Sequence, residues 1–266
     1  MERLRGKAAI VGIGEVPTGR YPDKTAIYHG IASARQAMQA AGLSKKDIDF
    51  VMPTGALYNP AFNNELVTCR LVEELGLENV STNELLVAGG ASGSCMVKTA
   101  ASLIAAGVAR CVLCVHTDKL GTGLPSSQGV IDLFSTAGIS QEWETPFGQH
   151  YSTIAGRVST RYKHETGTTD EQLAAVCVSN RKWAQMNPNA FFRQPLTVEE
   201  VLSSKMLSTP LRAKQSNMLF DGGSAFIVTS AERARDLVER PVYILGEGSR
   251  VTHFVFSQEK DITRFG

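Results

Sequence analysis

The chain has 266 residues, of which 43% are hydrophobic and 20% charged, so it is long enough for a substantial core and too apolar for a disordered chain. Its 27 basic and 26 acidic side chains give a net charge of +1, which argues against a nucleic-acid-binding or membrane-surface protein. No apolar run approaches the roughly 20 residues that span a bilayer, and no signal peptide precedes the first predicted strand. We therefore expect a soluble, cytoplasmic protein.

The first 120 residues alternate between predicted strands and helices. Strands are predicted at 7–13, 49–53, 84–87 and 110–116, and helices at 25–41, 62–75 and 94–106. Because such alternation is typical of a parallel sheet with helices on both faces, we expect a parallel sheet here. Gly12 and Gly14 follow the first strand, but Pro17 stands where a dinucleotide-binding motif needs its third glycine, so they predict a turn.

The five cysteines are an odd number and argue against a disulfide framework. Cys111 and Cys114 have the spacing of a redox or zinc motif, but they lie in an apolar run that predicts a buried strand. Residues three apart on a strand point to opposite faces, so the two sulfurs cannot share a metal. We predict core cysteines and no metal site.

Between residues 120 and 213 the sequence becomes polar and helical, with no predicted strand. Helices are predicted at about 148–166, from a capping box at Thr169 to Met186, and after a second capping box at Thr197. This segment looks like a helical insertion in an α/β unit. A strand at 224–228, a helix at 231–238 and a strand at 242–245 follow.

The segment 88–95 reads Ala-Gly-Gly-Ala-Ser-Gly-Ser-Cys and precedes an alanine-rich predicted helix. Glycines permit a sharp turn and the close approach of a ligand, and a helix N-terminus offers N–H groups to an oxyanion. The serine-hydrolase pattern G-x-S-x-G is not met, since Gly93 directly follows Ser92. The residues alone leave a ligand site and a packing turn equally open.

A resemblance to a known family adds to this interpretation. Gly90-Ala-Ser-Gly93 resembles the C-x-S-G nucleophile region of the thiolase superfamily, and residues 220–234 resemble the family's D-G-A-A-A strand with its following helix. Residues 161–175 and 180–189 resemble the loop domain of the sterol-carrier-protein-type thiolases. The resemblance implies a layered thiolase-like α/β fold, with an α-β-α first half, a helical loop-domain insertion and a second half that is mostly absent.

The resemblance also implies how the chain is divided. Residues 1–119 and 214–240 would form the N-terminal α/β half, residues 120–213 the insertion that helps to bind coenzyme A, and residues 241–266 the start of a second, incomplete half. The family's catalytic histidine and second cysteine come from that second half, so the catalytic base is expected there. Thiolase-like folds dimerise near the strand that matches residues 85–87, which implies a homodimer.

The family's nucleophilic cysteine falls on Gly90, which has no side chain for an acyl-enzyme. Cysteine-free relatives that act on steroid or other branched acyl-CoA side chains cleave a β-hydroxyacyl-CoA by a retro-aldol reaction, often with a small OB-fold partner of the DUF35 type. The alternatives are acyl transfer of the acetyl-CoA acetyltransferase type and a non-catalytic acyl-CoA-binding or scaffold subunit. The residues expected to stabilise the enolate are Gly90, Ser92, Gly93 and Ser94.

Further candidates are polar residues in and after the first half. His116 ends a predicted strand, at the edge where α/β proteins place ligand sites. The insertion offers residues for the acyl chain and for the phosphates of coenzyme A, which suit guanidinium groups. The alternative interpretation of each of these candidates is an ordinary packed or solvated side chain. The insertion candidates are His150, Tyr151, Arg157, Arg161 and Arg181. The coenzyme A thioester is expected as substrate, with no bound cofactor.

Overall fold

A computed structural model gives the fold. It describes residues 4–55, 66–81, 84–124, 126–135, 139–251, 255 and 258–263. Contacts divide the chain into two compact units: Met1–Gly123 with Phe220–Ser249, here called the sheet unit, and Leu124–Leu219 with Arg250–Gly266, the helical unit. The predicted assignment of residues 241–266 to a second half remains a prediction.

The described helices and strands follow one another as a mixed α/β chain. In chain order they are β1 (Ala8–Gly19), α1 (Ala26–Ala40), β2 (Phe50–Gly55), α2 (Val67–Leu75), α3 (Ser92–Ala105), β3 (Cys111–Lys119), α4 (Ser127–Phe134), α5 (Tyr151–Thr166), α6 (Asp170–Met186), α7 (Val198–Leu202), β4 (Met206–Ser208), β5 (Leu211–Arg212), β6 (Asp221–Ser230), α8 (Ala231–Leu237) and β7 (Val242–Tyr243). None of the helices in the described ranges combines the length and the apolar character needed to cross a bilayer.

The sheet unit contains a mixed five-stranded sheet in the order β2-β3-β6-β1-β7. β2 and β3 are parallel, whereas β3–β6, β6–β1 and β1–β7 are antiparallel. The parallel arrangement expected for the first 120 residues holds for β2 and β3, but the antiparallel strand β6 lies between β3 and β1, so the sheet is mixed rather than parallel. Strands with two buried faces are continuous apolar runs in either arrangement, so their composition does not reveal strand direction.

The predicted strand at 84–87 is also wrong. This segment is extended but carries no strand ladder, and one hydrogen bond, from Leu86 N–H to Pro53 O at 3.1 Å, ties it to β2. The predicted helix at 62–75 begins at Val67 in the structure, and its first residues lie outside the described ones. A short apolar run does not form a strand unless neighbouring backbone groups pair along its whole length.

Helices cover both faces of the sheet, as predicted. The α1 face carries α1, α2 and α8, and the α3 face carries α3. Cys111 packs into the core of the α1 face and Cys114 into that of the α3 face, and both are fully buried. Burial raises the pKa of Cys111 to about 12, so this thiol is inert near neutral pH. The prediction of two core cysteines on opposite faces is confirmed.

Gly12 and Gly14 let α1 pack directly on the backbone of β1. A Cβ at Gly14 would lie 2.0 Å from the carbonyl oxygen of Ser33, and one at Gly12 would lie 2.2 Å from that of Ala37. Any side chain at either position would push the helix off the sheet. These glycines therefore serve helix–sheet packing, in the middle of a longer strand than predicted.

The helical unit contains α4 to α7 and the short hairpin β4–β5. The capping boxes at Thr169 and Thr197 are confirmed, with reciprocal hydrogen bonds to Gln172 and Glu200. Neither α4 nor the hairpin was expected from the sequence. The strands of the hairpin span only three and two residues, which is too short to show the alternation of apolar and polar residues that predicts a strand.

Candidate functional site

The glycine-rich turn, residues 88–94, leads into α3. Residues 89–91 form a 3₁₀ turn, and the buried hydroxyl of Ser92 closes it by donating to Gly89 O at 2.7 Å and accepting from Ala88 N–H at 2.9 Å. No side chain caps the N-terminus of α3. Because the Ser92 hydroxyl is occupied within the turn, backbone N–H groups are what this helix start offers to a negatively charged oxygen.

Gly90 lies exposed on this turn, and the fold does not require a glycine there. A Cβ at residue 90 would meet no heavy atom within 4 Å, and its φ lies outside the left-handed region that Gly89 occupies at +55°. Gly93 is equally open, and Ser94 is exposed. The turn therefore has room for a side chain at residue 90 but carries none.

Cys95 lies in the first turn of α3, directly after the glycine-rich turn, and is half-buried. The remaining cysteines of the chain lie on other elements: Cys69 on α2, Cys111 and Cys114 on β3, and Cys177 on α6. The turn itself therefore holds no thiol that could serve as an acyl acceptor.

His116 lies near the carboxyl end of β3, with Thr54 of β2 and Ser224 of β6 as its cross-strand neighbours. It points to the same side of the sheet as Cys114, which packs into the core beneath α3. His116 is half-buried, and its imidazole has no hydrogen bond, ion pair or ring contact within the described residues. Burial lowers its pKa, so the ring is neutral at neutral pH.

On the α1 face the same end of the sheet is closed by a buried network around Asp221. Its carboxylate accepts from Tyr21 N–H at 2.8 Å, from Thr122 N–H at 2.9 Å and from the Thr122 hydroxyl at 2.6 Å. Burial alone would raise the pKa of Asp221, but these hydrogen bonds outweigh it and hold the pKa below its usual value. The Thr117 hydroxyl donates to Ala26 O, and the Lys119 ammonium to Pro22 O at 2.9 Å.

Sequence reasoning missed this network, which we call the Asp221 network. Its only trace is the Asp-Gly-Gly motif at the start of β6. His29 lies beside it, fully buried, with both ring nitrogens unpaired among the described residues, and burial lowers its pKa. Nowhere in the described ranges do three His, Cys, Asp or Glu side chains come together as metal ligands.

The helical unit carries a groove of about 500 Å³ between α5 and the β4–β5 hairpin. Gly156 lets α5 pack closely on the hairpin beside this groove, since a Cβ there would lie 2.3 Å from Ser208 Oγ. The Arg157 guanidinium has no hydrogen bond or ion pair within the described residues, whereas Arg161 pairs with Glu165 at 2.5 Å. The residues that line the groove are all polar: Thr153, Arg157, Thr160, Arg161, His164, Ser208 and Thr209.

The other three candidates of the insertion do not line this groove. His150 precedes α5 and donates its backbone N–H to Thr153 Oγ1 at 3.0 Å. Tyr151 is exposed, with its ring 6.1 Å from that of Phe134. Arg181 donates to Gln194 O at 2.9 Å and lies over the Phe192 ring. The groove therefore brings together only Arg157 and Arg161 of the five.

Comparisons with known proteins give several relatives, although no family model matches the chain. The chain is 32% identical over 252 residues to 17-hydroxy-3-oxo-4-pregnene-20-carboxyl-CoA lyase of Mycobacterium tuberculosis, covering 91% of this chain and 62% of the relative. It is 29% identical over 255 residues to the steroid side-chain-cleaving aldolase of Thermomonospora curvata, covering 92% of this chain and 62% of that relative. It is 27% identical over 259 residues to an acetyl-CoA acetyltransferase of Methanothermobacter thermautotrophicus, covering 96% of this chain and 65% of that relative.

Solved structures agree with these relatives. The Ltp2-ChsH2(DUF35) aldolase superimposes with a TM-score of 0.83 at 26% identity, covering 98% of this chain and 66% of that one. Human mitochondrial 3-ketoacyl-CoA thiolase in complex with CoA gives a TM-score of 0.66 at 14% identity over 88% of this chain and 66% of that one, a likeness of fold alone. The resemblance inferred from the motifs is confirmed: the chain has a thiolase-like fold and spans about three-fifths of the length of these curated relatives.

Proposed function

We propose that the protein cleaves a carbon–carbon bond of a β-hydroxyacyl-CoA by a retro-aldol reaction, in the degradation of a lipid or steroid side chain. The observation that carries the proposal is Gly90, which occupies the position of the nucleophilic cysteine in the C-x-S-G motif of the thiolase superfamily. The turn has room for a side chain at this position. The names of two relatives, a carboxyl-CoA lyase and a steroid side-chain-cleaving aldolase, support the same chemistry.

Retro-aldol cleavage suits this turn because it needs no covalent intermediate. A base removes the proton of the β-hydroxyl, the Cα–Cβ bond breaks, and its electron pair moves into the thioester as an enolate. Donors at the developing enolate oxygen would lower the barrier, and the uncapped start of α3 supplies backbone N–H groups and a positive dipole end. We assign this role to the backbone N–H groups of Gly90, Gly93 and Ser94, while Ser92, whose own N–H donates to Gly89 O, holds the shape of the turn.

We assign the phosphates of coenzyme A to the groove of the helical unit. Guanidinium groups bind phosphate by charge-assisted hydrogen bonds, and the unpaired Arg157 is free to do so. Arg157→Ala should raise the dissociation constant for coenzyme A about tenfold, the loss of one such bond. Isothermal titration measures this, with the exposed Arg235→Ala on α8 as a control expected to bind like the wild type. Equal affinity in both variants would refute this assignment.

We assign a homodimer contact to the extended segment before the glycine-rich turn. Its Leu85 and Val87 side chains are 39% and 57% exposed, which is unusual for apolar residues beside a sheet edge. Light scattering should show a dimer that becomes a monomer in a Leu85→Asp, Val87→Asp double variant. A dimer that survives both charges would exclude this contact.

We propose a DUF35-type partner because the solved Ltp2-ChsH2(DUF35) aldolase includes such a component. Co-expression with a candidate OB-fold protein should yield a stable complex with higher aldolase activity than this protein alone. Activity that is independent of every such partner would exclude it.

The decisive experiment compares two substrate classes. The protein should release a carbonyl compound and a shortened acyl-CoA from a β-hydroxyacyl-CoA. The Cys95→Ser variant should catalyse this reaction as fast as the wild type. Thiolysis of a β-ketoacyl-CoA that disappears in Cys95→Ser would instead establish acyl transfer. Binding of both acyl-CoAs without turnover would indicate a non-catalytic subunit.

A further inference from the structure

We propose that His116 exchanges the proton with the β-hydroxyl of the substrate at the glycine-rich turn. This inference rests on the proposed retro-aldol activity and deepens it, because it assigns the base to the first half of the fold, whereas the family resemblance places it in the second.

The first argument is the position of His116 relative to the turn. Five residues, 106–110, join α3 to β3, so the helix runs antiparallel to the strand and its N-terminus lies over the carboxyl end of β3. Met96 of α3 and Cys114 of β3 share the core on this face. Four residues back along α3 is Ser92, about 6 Å away, and two residues on along β3 is His116, about 6.6 Å away.

Both steps lead in the same direction, so His116 lies beneath the first turn of α3. The hydrogen bond from Leu86 N–H to Pro53 O supports this placement, since Pro53 pairs with Val115, next to His116. The segment that enters the turn therefore runs past the sheet at the level of His116.

The second argument is that the imidazole is available. It has no partner within the described residues, yet it is only half-buried, and the neighbouring Ser224 is exposed on the same face. Burial lowers the pKa of His116 and keeps the ring in the proton-accepting form. The titratable side chains on the elements packed here are Cys114 and Asp118 of β3, Cys95 and Lys98 of α3, and Glu84 before the turn, while β2 and β6 add none on this face. The segment after β7, which meets α3 where Lys98 donates to Ser249, adds Glu247.

The proposed step balances without a further reactant. An unprotonated ring nitrogen of His116 takes the β-hydroxyl proton, the oxygen forms a carbonyl, and the Cα–Cβ bond breaks. The electron pair passes to the thioester enolate, and the imidazolium returns its proton to Cα. The products are a carbonyl compound and a shortened acyl-CoA, and His116 is neutral again.

The test is the pH profile of kcat/KM for a β-hydroxyacyl-CoA in the wild type and in His116→Gln. We expect the wild type to lose activity as the pH falls below 6.5 through the lowered pKa of His116. The variant should be slower by about 100-fold or more, the usual contribution of a general base, and should lack that acid limb. Added imidazole should restore part of the activity of His116→Ala, which a purely structural role would not allow.

Thr117→Val is the matched control, because Thr117 lies on the same strand and faces the opposite side. It should lower the melting temperature and leave the shape of the pH profile unchanged. A His116→Gln enzyme within threefold of the wild type that retains the acid limb would overturn the inference.

A protein without aldolase activity would contradict the proposed function. In that case NMR of the His116 ring tests the placement separately. Ring signals that shift when acyl-CoA is added would support His116 as a substrate contact, and signals that stay unmoved would overturn it.

Discussion

The carboxyl end of β3 has two faces that differ in how their polar groups are paired. On the α1 face, Thr117 binds the backbone of α1 and Asp221 accepts hydrogen bonds from two other segments. On the α3 face, the adjacent residue His116 has no partner in the described part of the chain, and Gly90 leaves open space. The neighbouring residues Thr117 and His116 thus lie on opposite faces of the sheet. The polar groups on the Thr117 face are hydrogen-bonded, whereas the His116 side chain is available to a ligand. The closed face supports the strand, and the open face leaves its groups for a ligand.

The largest effect should come from removing the centre of the closed face. Asp221→Ala leaves the half-buried donors of Tyr21 and Thr122 without their acceptor, at about 1–3 kcal/mol each, so we expect a loss of about 3 kcal/mol in unfolding free energy. Ser224→Ala, on the open face, should stay within about 0.5 kcal/mol. Urea denaturation measures both, and equal losses would abolish the distinction between the faces.

Two glycines give a second, smaller contrast. Gly14→Ala places a Cβ against the Ser33 carbonyl, and overpacking of this kind costs about 1–3 kcal/mol or more. Gly90→Ala meets nothing within 4 Å and should change the unfolding free energy by less than about 0.5 kcal/mol. Thermal unfolding compares the two variants. A Gly90→Ala protein as unstable as Gly14→Ala would show that the fold itself requires a glycine at residue 90.

The order of elements could largely be predicted from the sequence, because caps and periodicity are local. Thr169 and Thr197 each precede a helix and pair with the side chain three residues further on, and both of these capping boxes form in the structure. The Asp221 network could not be predicted, since Tyr21, Thr122 and Asp221 meet only after distant strands pair. The same holds for the neighbours of His116, since Thr54 and Ser224 come beside it only through the strand register.

The smallest effect concerns pH. The pKa of buried His29 is lowered, so the unfolded chain binds a proton there more readily than the folded one. Stability should therefore be complete above the ordinary value of 6.5 and decline as the pH falls below it, by at most about 1.4 kcal/mol per pH unit for this proton. Denaturation at several pH values should show a shallower decline in His29→Phe. An unchanged slope would mean that His29 does not titrate with unfolding.

The central claim is that the open face works without a covalent intermediate. Intact-protein mass spectrometry during turnover of a β-hydroxyacyl-CoA tests it most directly. We predict that the carbonyl product and the shortened acyl-CoA appear in equal amounts while the mass of the protein stays unchanged. An acyl adduct that accumulates on the protein during turnover, on Cys95 or on any other residue, would contradict it.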